Sequence, residues 1–229
     1  MVKTVFFDLD DTLLDFRRAE AESLRQTLPV FGIDPAPAVL DRYHEINIAQ
    51  WQLLEQGKLT REQVLLRRYE LLFAELGAEH TDPAAVCARY EENLAFGHWF
   101  IPGAEELLET LAPRYDLYLA TNGTAAVQRS RLRLTGLTRY FKGIFISEEM
   151  GADKPSAEYF RRCFAAIPDF DPASAVMVGD SLTSDIRGGQ NAGIRTCWFN
   201  PAGKPPRPDI RPDCIIQTLE ELPALLETL

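Results

Sequence analysis

Two carboxylates close an apolar run near the start of the chain, in Val5-Phe6-Phe7-Asp8-Leu9-Asp10-Asp11-Thr12. A buried strand that ends in Asp-x-Asp-x-Thr delivers paired acids to the edge of a sheet. Such a pair can hold a hard cation through oxygen, and one member can attack phosphorus. So short a motif also arises by chance, and its weight depends on the motifs that accompany it. A second apolar run, Tyr118-Leu119-Ala120, leads into Thr121-Asn122-Gly123. Lys154-Pro155 comes after the loop 148–153, and Ala175-Val176-Met177-Val178 ends in Gly179-Asp180-Ser181, with Asp185 further on. All the candidate metal ligands are hard oxygens, a set that suits Mg²⁺.

The elements that must position these residues can be read from the apolar pattern. Runs at 5–7, 117–120, 144–146, 175–178 and 196–199 are short and near-continuous, as parallel strands buried on both faces are. Helical stretches at 104–111, 125–134 and 157–166 lie between them. This βαβ rhythm predicts an α/β fold with a doubly wound, mainly parallel, Rossmann-like sheet. Ligands bind such sheets beyond the carboxyl ends of the strands. Asp8, Thr121 and Asp180 each fall at such an end, so three separated motifs would converge on one crevice. Residues 16–97 break the rhythm and read as four amphipathic helices, near 17–29, 37–56, 61–77 and 83–96, punctuated by Gly32, Gly57, Gly77 and Asp82-Pro83. The expected organisation is a core of residues 1–15 and 98–229 with an inserted helical domain at 16–97. The Pro-rich stretch 201–212 reads as a surface loop before a last strand at 214–216.

Composition narrows the functional classes. Net charge is −10, with 46% hydrophobic and 25% charged residues, as in a globular protein with a substantial core. A duplex nucleic-acid binder would carry a basic face. The one basic cluster, Arg129-Ser130-Arg131-Leu132-Arg133, falls on a predicted helix and reads as a solvated face. An acidic protein acting on a phosphate needs local positive charge, from a metal ion, Lys154 or helix N-termini. No apolar run reaches transmembrane length, and the first strand starts too early to leave room for a leader. Cys87, Cys163, Cys197 and Cys214 lack metal-like spacing, and the last two read as buried thiols. The three histidines, His44, His80 and His98, also lack ligand spacing. Together these features point to a reducing cytoplasm, with no membrane or nucleic-acid partner.

Asp-x-Asp-x-Thr, then Thr-Asn-Gly, then Lys-Pro, then Gly-Asp-Ser-x-x-x-x-Asp, in this order, resembles the haloacid dehalogenase superfamily of aspartate-nucleophile phosphatases. The resemblance spans the whole chain, and residues 16–97 match the helical cap of the superfamily's C1 arrangement. It implies that Asp8 is the nucleophile and Asp10 the general acid and base. It implies a Mg²⁺ ion held by the side chains of Asp8 and Asp180 and the backbone carbonyl of Asp10, with Asp185 acting behind these ligands or through water. Thr121 and Asn122 would bind phosphate oxygens, and Lys154 would neutralise them. The superfamily's dehalogenases do not keep the second aspartate, so Asp10 favours phosphate esters. Each residue also has a plain local reading. Asp8, Asp180 with Asp185, and Thr121-Asn122 could be helix caps, and Asp10 a turn residue. Lys154 could be a surface lysine, although Pro155 can open a helix at its first position and so fix where Lys154 points.

Within the superfamily the likeness is greatest to the pyrimidine nucleotidases, carried by residues 146–151, 189–193 and 196–200, and in the cap by Asn47-x-x-x-Trp51, Gly57-x-x-Thr60 and Arg68-Tyr69. The resemblance implies a nucleoside monophosphate as substrate. Asn47 and Trp51 share a helix face, where an indole could stack on a base and an amide could read its edge. Alternatively Trp51 is cap core and Asn47 a surface residue. Phe16 could line the pocket mouth or pack at the hinge. Phosphoglycolate or a sugar phosphate is the alternative substrate, and a receiver-like, phosphate-responsive binding module the non-enzyme alternative. The oligomeric state is open.

Overall fold

The computed structural model describes residues 1–229. The elements run β1 (Thr4–Phe7), α1 (Phe16–Thr27), α2 (Pro37–Glu55), α3 (Arg61–Leu76), α4 (Pro83–Leu94), α5 (Ala104–Leu111), β2 (Asp116–Thr121), α6 (Ala125–Thr135), β3 (Gly143–Ile146), α7 (Ser147–Met150), α8 (Ala157–Ala165), β4 (Ala175–Gly179), α9 (Arg187–Asn191), β5 (Arg195–Phe199), β6 (Cys214–Ile216) and α10 (Leu222–Thr228). Contacts divide the chain into two units, Met1–Asp15 with Trp99–Leu229, and Phe16–His98.

In the first unit all six strands pair in parallel, in the order β3-β2-β1-β4-β5-β6. Every residue of β1 and β4 is buried, which is why both read as unbroken apolar runs. Side chains alternate between two cores. Val5, Phe7, Val176 and Val178 pack with Leu107, Leu108 and Leu111 of α5 and Leu222 and Leu226 of α10. Phe6, Tyr118 and Met177 turn the other way, onto Tyr159, Phe160 and Cys163 of α8. The chain winds outward from β1 through β2 to β3, then returns to β4 on the other side of β1. That reversal of direction opens a crevice beyond the carboxyl ends of β1 and β4, where a doubly wound sheet binds its ligands.

The second unit is helical. Its α3 begins on a capping box between Thr60 and Gln63, and α4 on the Asp82 side chain. Helix α1 stops at Thr27, short of the expected 29, because Pro29 turns the chain into a 3₁₀ segment closed by Gly32 at φ 75°. The interior of this unit is partly polar. The Arg68 guanidinium lies 5.9, 5.1 and 5.1 Å from the ring centroids of Tyr43, Tyr69 and Tyr90. Buried Glu20 accepts a hydrogen bond from Asn47 at 2.8 Å and meets His44 Nδ1 at 2.6 Å. No helix in either unit is long and apolar enough to cross a membrane.

Candidate active site

Asp8 is the first residue past β1, and Asp180 the first past β4. Asp8, Asp180 and Asp185 each bring one carboxylate oxygen within 4.8 Å of the others. Lys154 enters this acidic group from the loop before α8. Its Nζ donates to Asp8 Oδ1 at 2.6 Å, Asp185 Oδ1 at 2.7 Å and the Ala120 carbonyl at 2.7 Å. All three donors of the ammonium are thereby used. Lys154 is 1% exposed, so it is no surface lysine.

Backbone geometry makes this approach possible. A Cβ on Gly179 would stand 2.2 Å from Asp185 Oδ2, so only glycine lets that carboxylate lie against the end of β4. The second oxygen of Asp185 accepts from Ser181 N at 3.0 Å. Ser181, not Asp180, caps the turn of π-helix at Leu182–Ile186. The Thr12 hydroxyl accepts from Asp180 N at 3.1 Å and so ties the two acidic loops together. Trp198 Nε1 donates to the Asp180 carbonyl at 2.8 Å from β5.

Thr121 and Asn122 close the β2 side. The Asn122 amide makes two bonds to the backbone of Lys154, accepting from its N–H at 2.9 Å and donating to its carbonyl at 3.0 Å. Asn122 therefore fixes where Lys154 stands. Pro155 does not open a helix as its position suggested. The Lys154-Pro155 bond is cis, and α8 starts two residues later behind a Ser156 cap. Asp10 is turned toward α6. Its Oδ1 accepts from the Arg131 guanidinium and its Oδ2 from Gln128 Nε2 at 2.8 Å.

Charge is unbalanced here, with three carboxylates around one ammonium. Burial, aided by Asp185 and Asp10 and opposed by Lys154, pushes the Asp8 carboxyl up to about 8. Burial likewise drives Asp180 well above the usual carboxylate range, with Asp185 and Asp11 adding to the effect. Burial works against the Lys154 ammonium, but Asp185 and Asp8 outweigh it and hold its pKa above the ordinary lysine value.

A family profile described as haloacid dehalogenase-like hydrolase matches residues 2–193. The chain belongs to this family. Among its relatives is the HAD-hydrolase YfnB of Bacillus subtilis, 44% identical over 220 residues, 96% of this chain and 93% of YfnB. The crystal structure of YfnB bound to magnesium superposes with a TM-score of 0.94, covering 98% of each chain at 43% identity. Pyrimidine 5′-nucleotidase PynA of Streptococcus pneumoniae is 42% identical over 87% of this chain and 84% of PynA. Pyrimidine 5′-nucleotidase YjjG of Escherichia coli is 31% identical over 97% of this chain and 96% of YjjG.

Like other haloacid dehalogenase-like hydrolases, the chain presents oxygen ligands fit for a hard divalent cation. Lys154 pairs with Asp8 and Asp185 but not with Asp180, whose carboxyl is driven toward its neutral form by burial. A dication among Asp8, Asp180 and Asp185 would offset the charge of these carboxylates.

Two residues that meet Asp10, Gln128 and Arg131, were not expected at the candidate site from the sequence. The basic stretch on α6 is a solvated face only in part. Arg129 is paired with Glu149 at the surface, but Arg131 is 1% exposed and meets Asp10. Val127, Gln128, Arg131 and Leu132 make up the buried side of α6, and their helical spacing was the available signal. Gly123 proves to make room for Gln128, whose side chain would lie 3.0 Å from a Cβ there.

Phe16, Asn47 and Trp51 belong to the helical unit. Asn47 is buried, not at the surface, and both ends of its amide are engaged, donating to Glu20 and accepting from Arg68 at 3.2 Å. Trp51 is half-buried, with the Arg61 guanidinium 5.7 Å from its ring centroid. Phe16 is also half-buried. Cys214, expected to be buried, is partly exposed at the sheet edge, because β6 has a neighbour on one side only.

Proposed function

We propose that the protein is a Mg²⁺-dependent phosphomonoesterase that works through an aspartyl-phosphate on Asp8. Its substrates would be nucleoside 5′-monophosphates, with pyrimidines preferred. The carrying observation is a buried carboxylate at the end of the central strand, 2.6 Å from a buried ammonium and beside two further acids, with Asp10 two residues on. The receiver-like reading loses its ground to the family match over residues 2–193.

In the first half-reaction an Asp8 oxygen attacks phosphorus, a P–O bond to Asp8 forms and the bond to the leaving oxygen breaks. Asp10 gives that oxygen its proton. In the second half-reaction Asp10 takes a proton from water as the water attacks phosphorus. The Asp8–P bond breaks and inorganic phosphate leaves. The Lys154 ammonium balances charge on the phosphoryl oxygens, and the Asn122 backbone N–H and the Thr121 hydroxyl donate to them, the hydroxyl by exchanging its bond to the Asn122 carbonyl. When bound, Mg²⁺ supplies neutralisation between nucleophile and phosphate, groups that otherwise repel. Asp8, Asp180 and the Asp10 carbonyl would hold it, with Asp185 behind them.

The pyrimidine preference rests on PynA and YjjG, both pyrimidine nucleotidases. Trp51 and Phe16 are the proposed substrate-facing residues of the helical unit. Asn47 would join them only by exchanging a partner it already has. A cytoplasmic location suits such a substrate. A panel of nucleotides, sugar phosphates and phosphoglycolate, assayed with Mg²⁺ and with chelator, tests the reading. Turnover of pyrimidine nucleotides that stops with chelator is expected. Failure to turn over any nucleotide removes the substrate class, and full activity in Asp8→Asn removes the mechanism.

A further inference from the structure

Both oxygens of Asp10 are held by one face of α6. Oδ1 accepts from the Arg131 guanidinium and Oδ2 from Gln128 Nε2 at 2.8 Å. The two partners are also bonded to each other, Arg131 Nη1 donating to Gln128 Oε1 at 2.9 Å. That bond fixes the sense of the Gln128 amide, so its nitrogen must face Asp10. The same nitrogen lies 3.1 Å from Thr121 Oγ1 and 3.3 Å from the Asn122 carbonyl. One buried amide thus joins the Asp10 loop to the Thr121-Asn122 loop. Burying a guanidinium is costly unless it is well paired. An apolar residue would fill the inner face of α6 at less cost, as Val127 and Leu132 do beside it.

We propose that Gln128 and Arg131 are positioning residues for Asp10, fixing the direction of its carboxylate and its distance from Thr121. The inference rests on the reading of Asp10 as proton donor and acceptor. Gln128 and Arg131 exchange no proton with substrate. Each carboxylate oxygen keeps a second lone pair, so the clamp sets the direction of the acid without blocking it. A carboxylate freed of both partners would sample other rotamers, and misplacement of about 1 Å can cost a hundredfold in rate.

The test is a double-mutant cycle, run on the ester that the substrate panel identifies as best. Arg131→Met should lower kcat by about 10- to 100-fold with KM within about twofold, a share of the 10²–10⁴ that acid–base help contributes. Gln128→Leu should do the same to a smaller degree, and Arg131→Lys should recover part of the rate. In an Asp10→Asn background, Arg131→Met should cost less than about twofold more, because the group it orients is gone. Full kcat in Arg131→Met, or an equal loss in the Asp10→Asn background, overturns the proposal. If Arg131→Met gives no cooperative melt, Arg131→Lys and Gln128→Leu carry the same cycle. Wild-type rate in Asp10→Asn alone would overturn the reading of Asp10 itself, a result distinct from failure of the clamp.

Discussion

At the end of β1 the Asp8 carboxyl meets burial, two neighbouring acids and one ammonium, and its pKa rises from 3.8 to about 8. Between these values the folded, metal-free protein keeps a proton that the unfolded chain has released. This group therefore makes the metal-free protein less stable as pH rises from about 4 to about 8. A divalent ion competes with that proton, so its stabilising effect should grow over the same window. Thermal melts with chelator and with Mg²⁺ at several pH values should show a gap in Tm that widens with pH. A gap independent of pH would contradict the assignment. Gly179 is the second test at this scale. A methyl group there would strike Asp185 at 2.2 Å, next to the end of a buried strand. Gly179→Ala should cost about 1–3 kcal/mol, in the range of overpacking, and should weaken Mg²⁺ binding. Denaturant melts and metal titration read both effects, and an unchanged metal affinity would separate Asp185 from the ion.

The strands explain how far the primary structure reveals the site. Residues 5–7 and 175–178 are legible because strands buried on both faces must be apolar throughout, and their abrupt polar ends mark the crevice. Asp8 and Asp180 could be named for a related reason, since each follows an apolar run, whereas Lys154 and Asp185 could be named only from the ordered set of motifs that resembles the haloacid dehalogenase superfamily. Helix α6 was harder to read, because charge was taken as a sign of exposure. Arg131 shares the inner face with Val127 and Leu132, and only its tertiary partner Asp10 explains why a charge belongs there. Pro155 misled for a different reason. A proline before a helical run reads as a first helical residue, whereas here the Ser156 side chain provides the start. The start of α6 also carries a prediction. Gly123 has φ 146° and lies against Gln128, so Gly123→Ala would be strained and would displace that amide. A fall in kcat of about tenfold or more is expected, comparable to a displaced acid–base group. An unaltered kcat would show that the amide tolerates the shift.

For the whole molecule, a net charge of −10 sets the terms on which an anionic substrate arrives. With 34 acidic against 24 basic side chains, the composition offers no excess of positive charge to steer it, and positive charge at the site comes from Lys154, from Arg131 on Asp10 and from the proposed ion. Higher ionic strength screens like-charge repulsion, so kcat/KM for a nucleoside monophosphate should hold level or rise between about 0.01 and 0.15 M salt. A steep fall would indicate a steering field that the charge distribution does not suggest. If the order of strands in the sheet brings Asp8 to phosphorus as the proposed nucleophile, chemical trapping will find it there. Borohydride added during steady turnover reduces an aspartyl-phosphate, and peptide mass spectrometry then locates the product. Homoserine is expected at position 8, formed only when substrate and Mg²⁺ are both present. An unmodified Asp8 during full turnover, or a label on another residue, would contradict Asp8 as the nucleophile.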